Sequence, residues 1–375
     1  SKPLTVKYID PTYMVRSVKA NSFDSIYCST LAEHAVHGAL AGYTGFVPVK
    51  SYEKFVYVPV QAVAKRVKKV NPKGRWFGRM TFTTGQPAFE PDGFAYTKEK
   101  DPDDLFMDSL PPLAVPDLLP PGSHIRRLDC AHLSERFGEK QLPTPLSADK
   151  SFFIQPGTWT SQCLTRLSSE ETAGKTYLQM IRSGPRNFIH FDPKAPDAGA
   201  AAIVTCGGLC PGLNSVIREL VNMLLAYGVQ KVYGIIGGFK GCVQDDKWIE
   251  LTREYVQDIH MKGGSVLVSD RGNPPHSEIA AVMKRRNIRQ YFVLGGDGTH
   301  KGAMQSFEAM QAVEHECAVV GVPKTIDNDI QILDRSFGFD TACTEARKAI
   351  DSAYVEATTN ANCIGLVKLM GRHCG

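Results

Sequence analysis

Between about residues 199 and 375, short apolar runs alternate with stretches that repeat an apolar residue every three or four positions. The runs at 201–206, 231–236, 265–268, 290–294, 317–322 and 363–369 have the length and continuity of strands buried on both faces. Between them, 212–227, 277–287, 301–313 and 340–358 carry helical periodicity. The first of these sets Leu213, Val216, Ile217, Leu220, Val221, Leu224 and Leu225 in one stripe. This alternation predicts an α/β fold, a doubly wound parallel sheet with helices on both faces. Such sheets bind ligands at the carboxyl ends of their strands. That is where the segments richest in Gly and Asp fall.

Ahead of this unit the texture changes. Residues 23–41 place Ile26, Leu31, Ala35, Val36, Ala39 and Leu40 on a largely common face, which reads as an amphipathic helix. Residues 45–49 and 55–60 are β-rich and joined by Ser51-Tyr52-Glu53-Lys54, a hairpin. A basic helix is expected at about 61–69. From about 86 to 195 periodicity is poor, and Pro111, Pro112, Pro116, Pro120, Pro121, Pro143 and Pro145 interrupt regular structure. So long a connection is unusual inside one compact unit. The expected division is therefore a separate partial helix-hairpin segment over 1–85, a linker and irregular leader over 86–180, and the α/β lobe over 181–375.

Composition narrows the partners. The chain has 375 residues, 43% of them hydrophobic, and a formal net charge of +4. That charge is too small to argue for nucleic acid or a membrane surface. Lys65, Arg66, Lys68 and Lys69 read as a solvated helix face. Ten cysteines are present without any Cys-x-x-Cys pair, and Cys206 and Cys210 have no companions to complete a metal set. Free thiols in a reducing compartment are the simple account. A cytoplasmic location is expected, with a plastid as the alternative. No apolar run reaches the ~18 residues needed to span a bilayer. Ser1-Lys2-Pro3-Leu4 does not read as a signal peptide.

Five segments carry chemistry. Gly207-Gly208-Leu209-Cys210-Pro211-Gly212-Leu213-Asn214 follows a strand and opens a helix, where glycines and free N–H groups suit a phosphate. It is neither a Walker A loop nor a Gly-x-Gly-x-x-Gly turn. Gly295-Gly296-Asp297-Gly298-Thr299 sets a carboxylate among small residues, suited to a magnesium ion bridging donor phosphates. Pro323-Lys324-Thr325-Ile326-Asp327-Asn328-Asp329 crowds two carboxylates at a strand end. In phosphoryl transfer one carboxylate can take the proton of the attacking hydroxyl while another helps hold the metal. Ser269-Asp270-Arg271-Gly272 and Met370-Gly371-Arg372 add arginines suited to phosphate.

In this order and at these intervals, the segments from about 184 to 375 resemble the N-terminal half of a phosphofructokinase, with wording similar to the plant and trypanosomatid ATP-dependent type. The resemblance implies Asp327 as general base for the 1-hydroxyl of fructose 6-phosphate. It implies Asp297 as the magnesium ligand with Asp329 close to it, and Gly207, Arg271, Gly272, Gly296, Asp297, Gly298 and Thr299 as the ATP site. Thr325, Ile326, Met370, Gly371 and Arg372 would bind fructose 6-phosphate, with Arg372 also steadying the transferred phosphoryl group. Tyr8-Ile9-Asp10-Pro11-Thr12-Tyr13-Met14-Val15-Arg16 and Ala41-Gly42-Tyr43-Thr44-Gly45 resemble the family's C-terminal end, and Tyr13 and Arg16 would hold the sugar 6-phosphate. An end, a linker and a beginning, in that order, suggest a window cut from a tandem protein, inactive alone. The family also implies a homo-oligomer.

Two residues bear on the donor. Gly298 favours ATP, because Asp there, as in pyrophosphate-dependent relatives, repels or blocks the nucleotide phosphates. Lys324 is the pyrophosphate-type residue. The leading expectation is an ATP-dependent 6-phosphofructokinase, with a pyrophosphate-dependent enzyme as the alternative and a non-catalytic regulatory copy as a third. A dinucleotide-binding oxidoreductase is disfavoured by the missing Gly-x-Gly-x-x-Gly turn. NAD or lipid kinases share the Gly-Gly-Asp-Gly-Thr segment but not residues 323–329.

Overall fold

The computed structural model describes residues 3–64, 68–72, 74–86, 124–146, 152–163, 176–270, 272–330 and 332–371. Its large sheet contains ten strands. In chain order these are β1 (Phe46–Ser51), β2 (Lys54–Pro59), β3 (His124–Leu128), β4 (Trp159–Cys163), β5 (Thr176–Arg182), β6 (Ala200–Thr205), β7 (Val232–Ile235), β8 (Trp248–Glu250), β9 (Ile288–Gly295) and β10 (Ala318–Pro323). Their spatial order is β8-β7-β6-β9-β10-β1-β2-β5-β3, with β4 also paired to β5. The run β7-β6-β9-β10-β1 is parallel throughout. The helices that bear on the site are α1 (Ser22–Leu40), α2 (Leu213–Tyr227), α3 (His276–Arg285), α4 (Asp297–Ala312) and α5 (Phe339–Thr359).

All residues of β6 and β10 are buried, as the continuous apolar runs require. Successive side chains of β6 go to opposite layers. Ala201 and Ile203 join a core that holds Leu31 of α1 and Leu220 of α2. Ala202 and Val204 join a second core with Ile279 of α3 and Ala303 of α4. The doubly wound architecture is therefore present, and the carboxyl ends of β6, β9 and β10 open on one edge.

The helix-hairpin segment is not separate. β1 lies beside β10 with Phe46 opposite Val320. The Gly45 N–H donates to the Val319 carbonyl at 2.8 Å, and the Thr44 hydroxyl donates to the Cys317 carbonyl at 3.2 Å. β1 and β2 form the expected hairpin. Tyr52 and Glu53 at its tip both have positive φ, the mark of a type I′ turn. Their N–H groups donate to the Asp334 carboxylate at 2.9 Å each. At the start of α1, buried Asp24 accepts from the Thr341 N–H and hydroxyl at 2.8 and 2.5 Å. Burial pushes the Asp24 carboxyl above its ordinary value, against those hydrogen bonds. These contacts join positions about 300 residues apart in sequence and have no local signature.

Other expectations change as well. Ile26 is 70% exposed, and the buried face of α1 instead includes Tyr27 and Cys28. The helix after the hairpin covers Val60–Ala64. Lys65 and Arg66 lie outside the described residues, and Lys68 is non-helical, its N–H donating to the Asp329 carbonyl at 2.8 Å. The leader contributes β3, β4 and β5 to the sheet. Cross-strand partners supply what periodicity lacked: the Arg127 guanidinium lies 4.2 Å from the Trp159 ring centroid and donates to Gln179. The strand expected at 265–268 is a turn, because the Ser265 hydroxyl accepts from the Leu267 N–H at 3.2 Å and Val268 adopts φ 48°. Cys363–Val367 is a strand but not of this sheet. Among the described residues it pairs in parallel with Thr5–Ile9 alone, against α5.

Candidate active site

A cavity of about 580 Å³ opens at the carboxyl edge of the parallel strands. Cys206, Gly207, Gly208 and Leu209 after β6, Gly296 to Thr299 after β9, and Lys324 to Asp327 after β10 line it. Phe239, Asp270, Asn273, Met370, Gly371 and Arg16 complete the wall. The structure thus brings Arg16, from the segment before α1, to loops that lie some 200 to 300 positions later.

The loops after β6 and β9 are shaped by close approach. Gly207 turns the chain with φ 83°, and the Ser269 hydroxyl donates to its carbonyl. A Cβ on Gly295 would lie 2.2 Å from the Thr299 hydroxyl oxygen, so only glycine lets the first turn of α4 fold back on its strand. That turn begins at Asp297, four residues before the helix expected from periodicity, with Gly296 as N-cap. Asp297 therefore sits in a first turn, where its charge complements the helix N-terminus. Its Oδ2 is 3.5 Å from Lys301 Nζ. Its Oδ1 is buried without a hydrogen-bond partner among the described residues. A divalent cation suits such an oxygen.

The loop after β10 is braced from behind. The Thr325 hydroxyl donates to Asp329 Oδ1 and accepts from the Asp327 N–H, each at 3.0 Å. Asn328 takes φ 53°, accepts from the Ser336 N–H at 2.9 Å and donates to the Asp334 carbonyl at 3.3 Å. Asp327 faces the cavity as a result. Asp329 does not: it is buried, outside the lining, and spends its carboxylate on Thr325. Lys324 is 5% exposed and its ammonium donates to the Gly208 carbonyl. Burial pulls its pKa down, the thiols of Cys210 and Cys206 oppose that, Arg16 adds to it and Asp327 opposes it.

Not every expected residue reaches the cavity. Tyr13 is 71% exposed, outside the lining, with its ring 5.1 Å from the Arg16 guanidinium, so it supports Arg16. Gly272 is also outside the lining and packs on Lys240. Arg271 and Arg372 lie outside the described residues. Met370 and Gly371 reach the cavity from the second sheet, not from the edge shared by the other loops. Sequence reasoning missed Phe239 and Asn273. For Phe239 a signal existed, because Gly237 and Gly238 follow β7 and both take positive φ.

The family described as Phosphofructokinase matches residues 200–375. ATP-dependent 6-phosphofructokinase 7 of Arabidopsis thaliana is 49% identical over 195 residues, 52% of this chain and 39% of that protein. ATP-dependent 6-phosphofructokinase 1 of the same plant is 43% identical over 255 residues, 66% of this chain and 52% of its own length. ATP-dependent 6-phosphofructokinase of Borreliella burgdorferi is 42% identical over 210 residues, 55% of this chain and 46% of that protein. The chain thus spans about half the length of the curated relatives it matches. Among solved structures, phosphofructokinase from Saccharomyces cerevisiae aligns with a TM-score of 0.39 at 21% identity, over 45% of this chain and 23% of that one. The region that the phosphofructokinase family model matches, from residue 200 to residue 375, carries the cavity loops that follow β6, β9 and β10.

Proposed function

We propose that this cavity transfers a phosphoryl group from ATP to the 1-hydroxyl of fructose 6-phosphate, giving fructose 1,6-bisphosphate, a step of glycolysis. The observation that carries the reading is the convergence of Asp297, Asp327, Lys324 and Arg16 on one cavity beside the N-terminus of α4. Asp327 takes the proton of the attacking hydroxyl, a role worth ~10²- to 10⁴-fold in rate. Free N–H groups of α4 and the Gly207–Gly208 turn face the donor phosphates. Arg16 holds the sugar phosphate, with Tyr13 supporting it from outside. Thr325, Ile326, Met370 and Gly371 contact the sugar, and Arg372 steadies the transferred group. Magnesium fits at Asp297 Oδ1, where it would neutralise charge on the donor phosphates. Asp329 serves the site by bracing Thr325.

The donor is ATP on the strength of Gly298. An added Cβ there meets nothing within 4 Å, so Asp at this position fits and acts by charge on the nucleotide phosphates. Turnover of fructose 6-phosphate with each donor tests this. Gly298→Asp is expected to depress ATP use far more than pyrophosphate use. An unsubstituted enzyme that prefers pyrophosphate would overturn the ATP reading in favour of the alternative that Lys324 supports.

A cytoplasmic location and homo-oligomeric assembly belong to the same proposal. Cys28, Cys206 and Cys210 are free thiols, in keeping with a reducing compartment. No helix among the described residues is long and apolar enough to cross a membrane. The proposal also keeps residues 1–375 on their own as a weak nucleotide binder with little turnover. Exposed Val6, Tyr8, Ile364 and Leu366, on the two strands that precede Arg16 and Met370 in the chain, support this. Turnover equal to that of a longer form carrying this chain would remove that part.

A further inference from the structure

One buried histidine beside the cavity has no part in the chemistry above. His300 lies in α4 with none of its surface exposed. Its Nδ1 is 2.8 Å from the Gly296 carbonyl oxygen. That oxygen also accepts from the backbone N–H groups of Thr299 and His300 at 3.0 Å each. A carbonyl only accepts, so Nδ1 carries the hydrogen. Nε2 is buried without a partner among the described residues. The ring occupies a slot against β10 that exists because residue 321 is glycine. A Cβ on Gly321 would lie 2.8 Å from His300 Cδ2, 3.2 Å from Nε2 and 3.1 Å from a Val47 methyl. Glycine weakens a strand interior and marks places where another group comes close. Here that group is the imidazole.

Peptide geometry gives the consequence. The Gly296 carbonyl and the Asp297 N–H share one planar trans unit and point in opposite directions. Three donors hold the carbonyl on the helix side. The Asp297 N–H is thereby turned away from the helix, and as a first-turn donor it has no acceptor within α4. Asp297 and Gly296 both line the cavity. We propose that His300 is a positioning residue for the donor: its Nδ1–H locks the Gly296 peptide so that the Asp297 N–H meets a donor phosphate, and Gly321 provides the space for the ring. The inference rests on the reading of this cavity as a phosphate-donor site.

The test is equilibrium binding of magnesium-ATP to the 375-residue chain, with His300→Leu, His300→Asn and Gly321→Ala beside it and melting temperatures measured on all four. The Asn amide can place an N–H where Nδ1–H lies, whereas Leu has volume and no donor. His300→Leu is expected to bind about 5- to 10-fold more weakly, the worth of one hydrogen bond, and His300→Asn within about twofold of the unsubstituted chain. Gly321→Ala, which keeps His300 but crowds its ring, is expected to behave like His300→Leu. Equal losses in His300→Leu and His300→Asn, or none in His300→Leu, would show that the ring only fills space. Should His300→Leu not fold, unchanged affinity in Gly321→Ala overturns the proposal by itself. An unsubstituted chain that binds neither ATP nor pyrophosphate would overturn the donor-site reading and this inference together. Binding by that chain with equal binding by His300→Leu would overturn the inference alone.

Discussion

β6, β9 and β10 form a parallel stack whose side chains are buried in two cores, whereas Thr5–Ile9 and Cys363–Val367 form a parallel pair with Val6, Tyr8, Ile364 and Leu366 each 49–56% exposed. Both use the same hydrogen-bond pattern. Parallel strands owe their stability to cover on both faces, and a two-stranded sheet is marginal by itself. In the small pair, α5 provides cover at Gly365, where an added Cβ would lie 2.7 Å from the Ala353 carbonyl. The difference bears on the cavity. The loops proposed to hold the donor hang from the covered stack, and their geometry follows from a packed core. Arg16 and Met370 follow the two strands of the small, half-covered pair. One half of the site is therefore set by packing on both faces, and the other by a pair that α5 covers on one.

The strongest way to break this contrast is to remove the base proposed on the covered side. In the longest form of the protein carrying this chain, Asp327→Asn is expected to lower turnover by ~10²- to 10⁴-fold while ATP affinity persists. Steady-state kinetics with a binding isotherm checks it. Near-normal turnover, with any second catalytic copy inactivated, would take the base away from Asp327. Next comes the stack itself. Phe292 in β9 is fully buried, and Phe292→Ala is expected to cost about 3–5 kcal/mol in urea unfolding.

Acid sharpens the comparison further, because the small pair contains no histidine while α1, packed on the covered stack, carries His34 and His37. His37 Nδ1 lies 2.7 Å from the Tyr227 hydroxyl and His34 Nδ1 lies 2.8 Å from the Ser183 hydroxyl. Burial, with neighbouring Arg186 adding to it, lowers His34 from 6.5 to about 4. Burial, with His34 and Arg186 adding to it, lowers His37 from 6.5 to about 3. Both are neutral in the folded chain and protonate on unfolding below about 6.5, so the unfolded state binds more protons there. Their contribution is whole above that pH and is lost progressively towards the folded values. The urea midpoint is expected to be lower at about pH 5 than at about pH 7. An equal or higher midpoint in acid would mean that the α1 layer is wet. The smallest effect is expected at Leu366→Ala, within about 0.5 kcal/mol as for exposed positions. A cost as large as that of Phe292→Ala would show that the small pair is covered in solution, and the contrast would fall.

Much of the covered half was legible along the chain. Continuous apolar runs predicted β6, β9 and β10, and the periodic stripe predicted α2, because burial on both faces or on one face leaves a period in the sequence. Gly207, Asp297, Gly298 and Asp327 stood out because tight turns and crowded carboxylates are costly without a ligand. Boundaries slipped where a cap overrode periodicity, as at Gly296, and where a hydroxyl bonded locally, as at Ser265.

By itself, then, the sequence determined the local elements of the lobe and the chemistry at its strand ends, since both are written in neighbouring residues. Tertiary structure alone decided the rest. It placed β1 beside β10, drew three strands out of the leader, brought Arg16 to the Gly208 loop, left Tyr13 outside, and turned Asp329 from the cavity to Thr325. Strand pairing and salt-bridge or hydrogen-bond choice between distant positions depend on which packed faces meet, and a period of two or 3.6 residues carries no record of the partner.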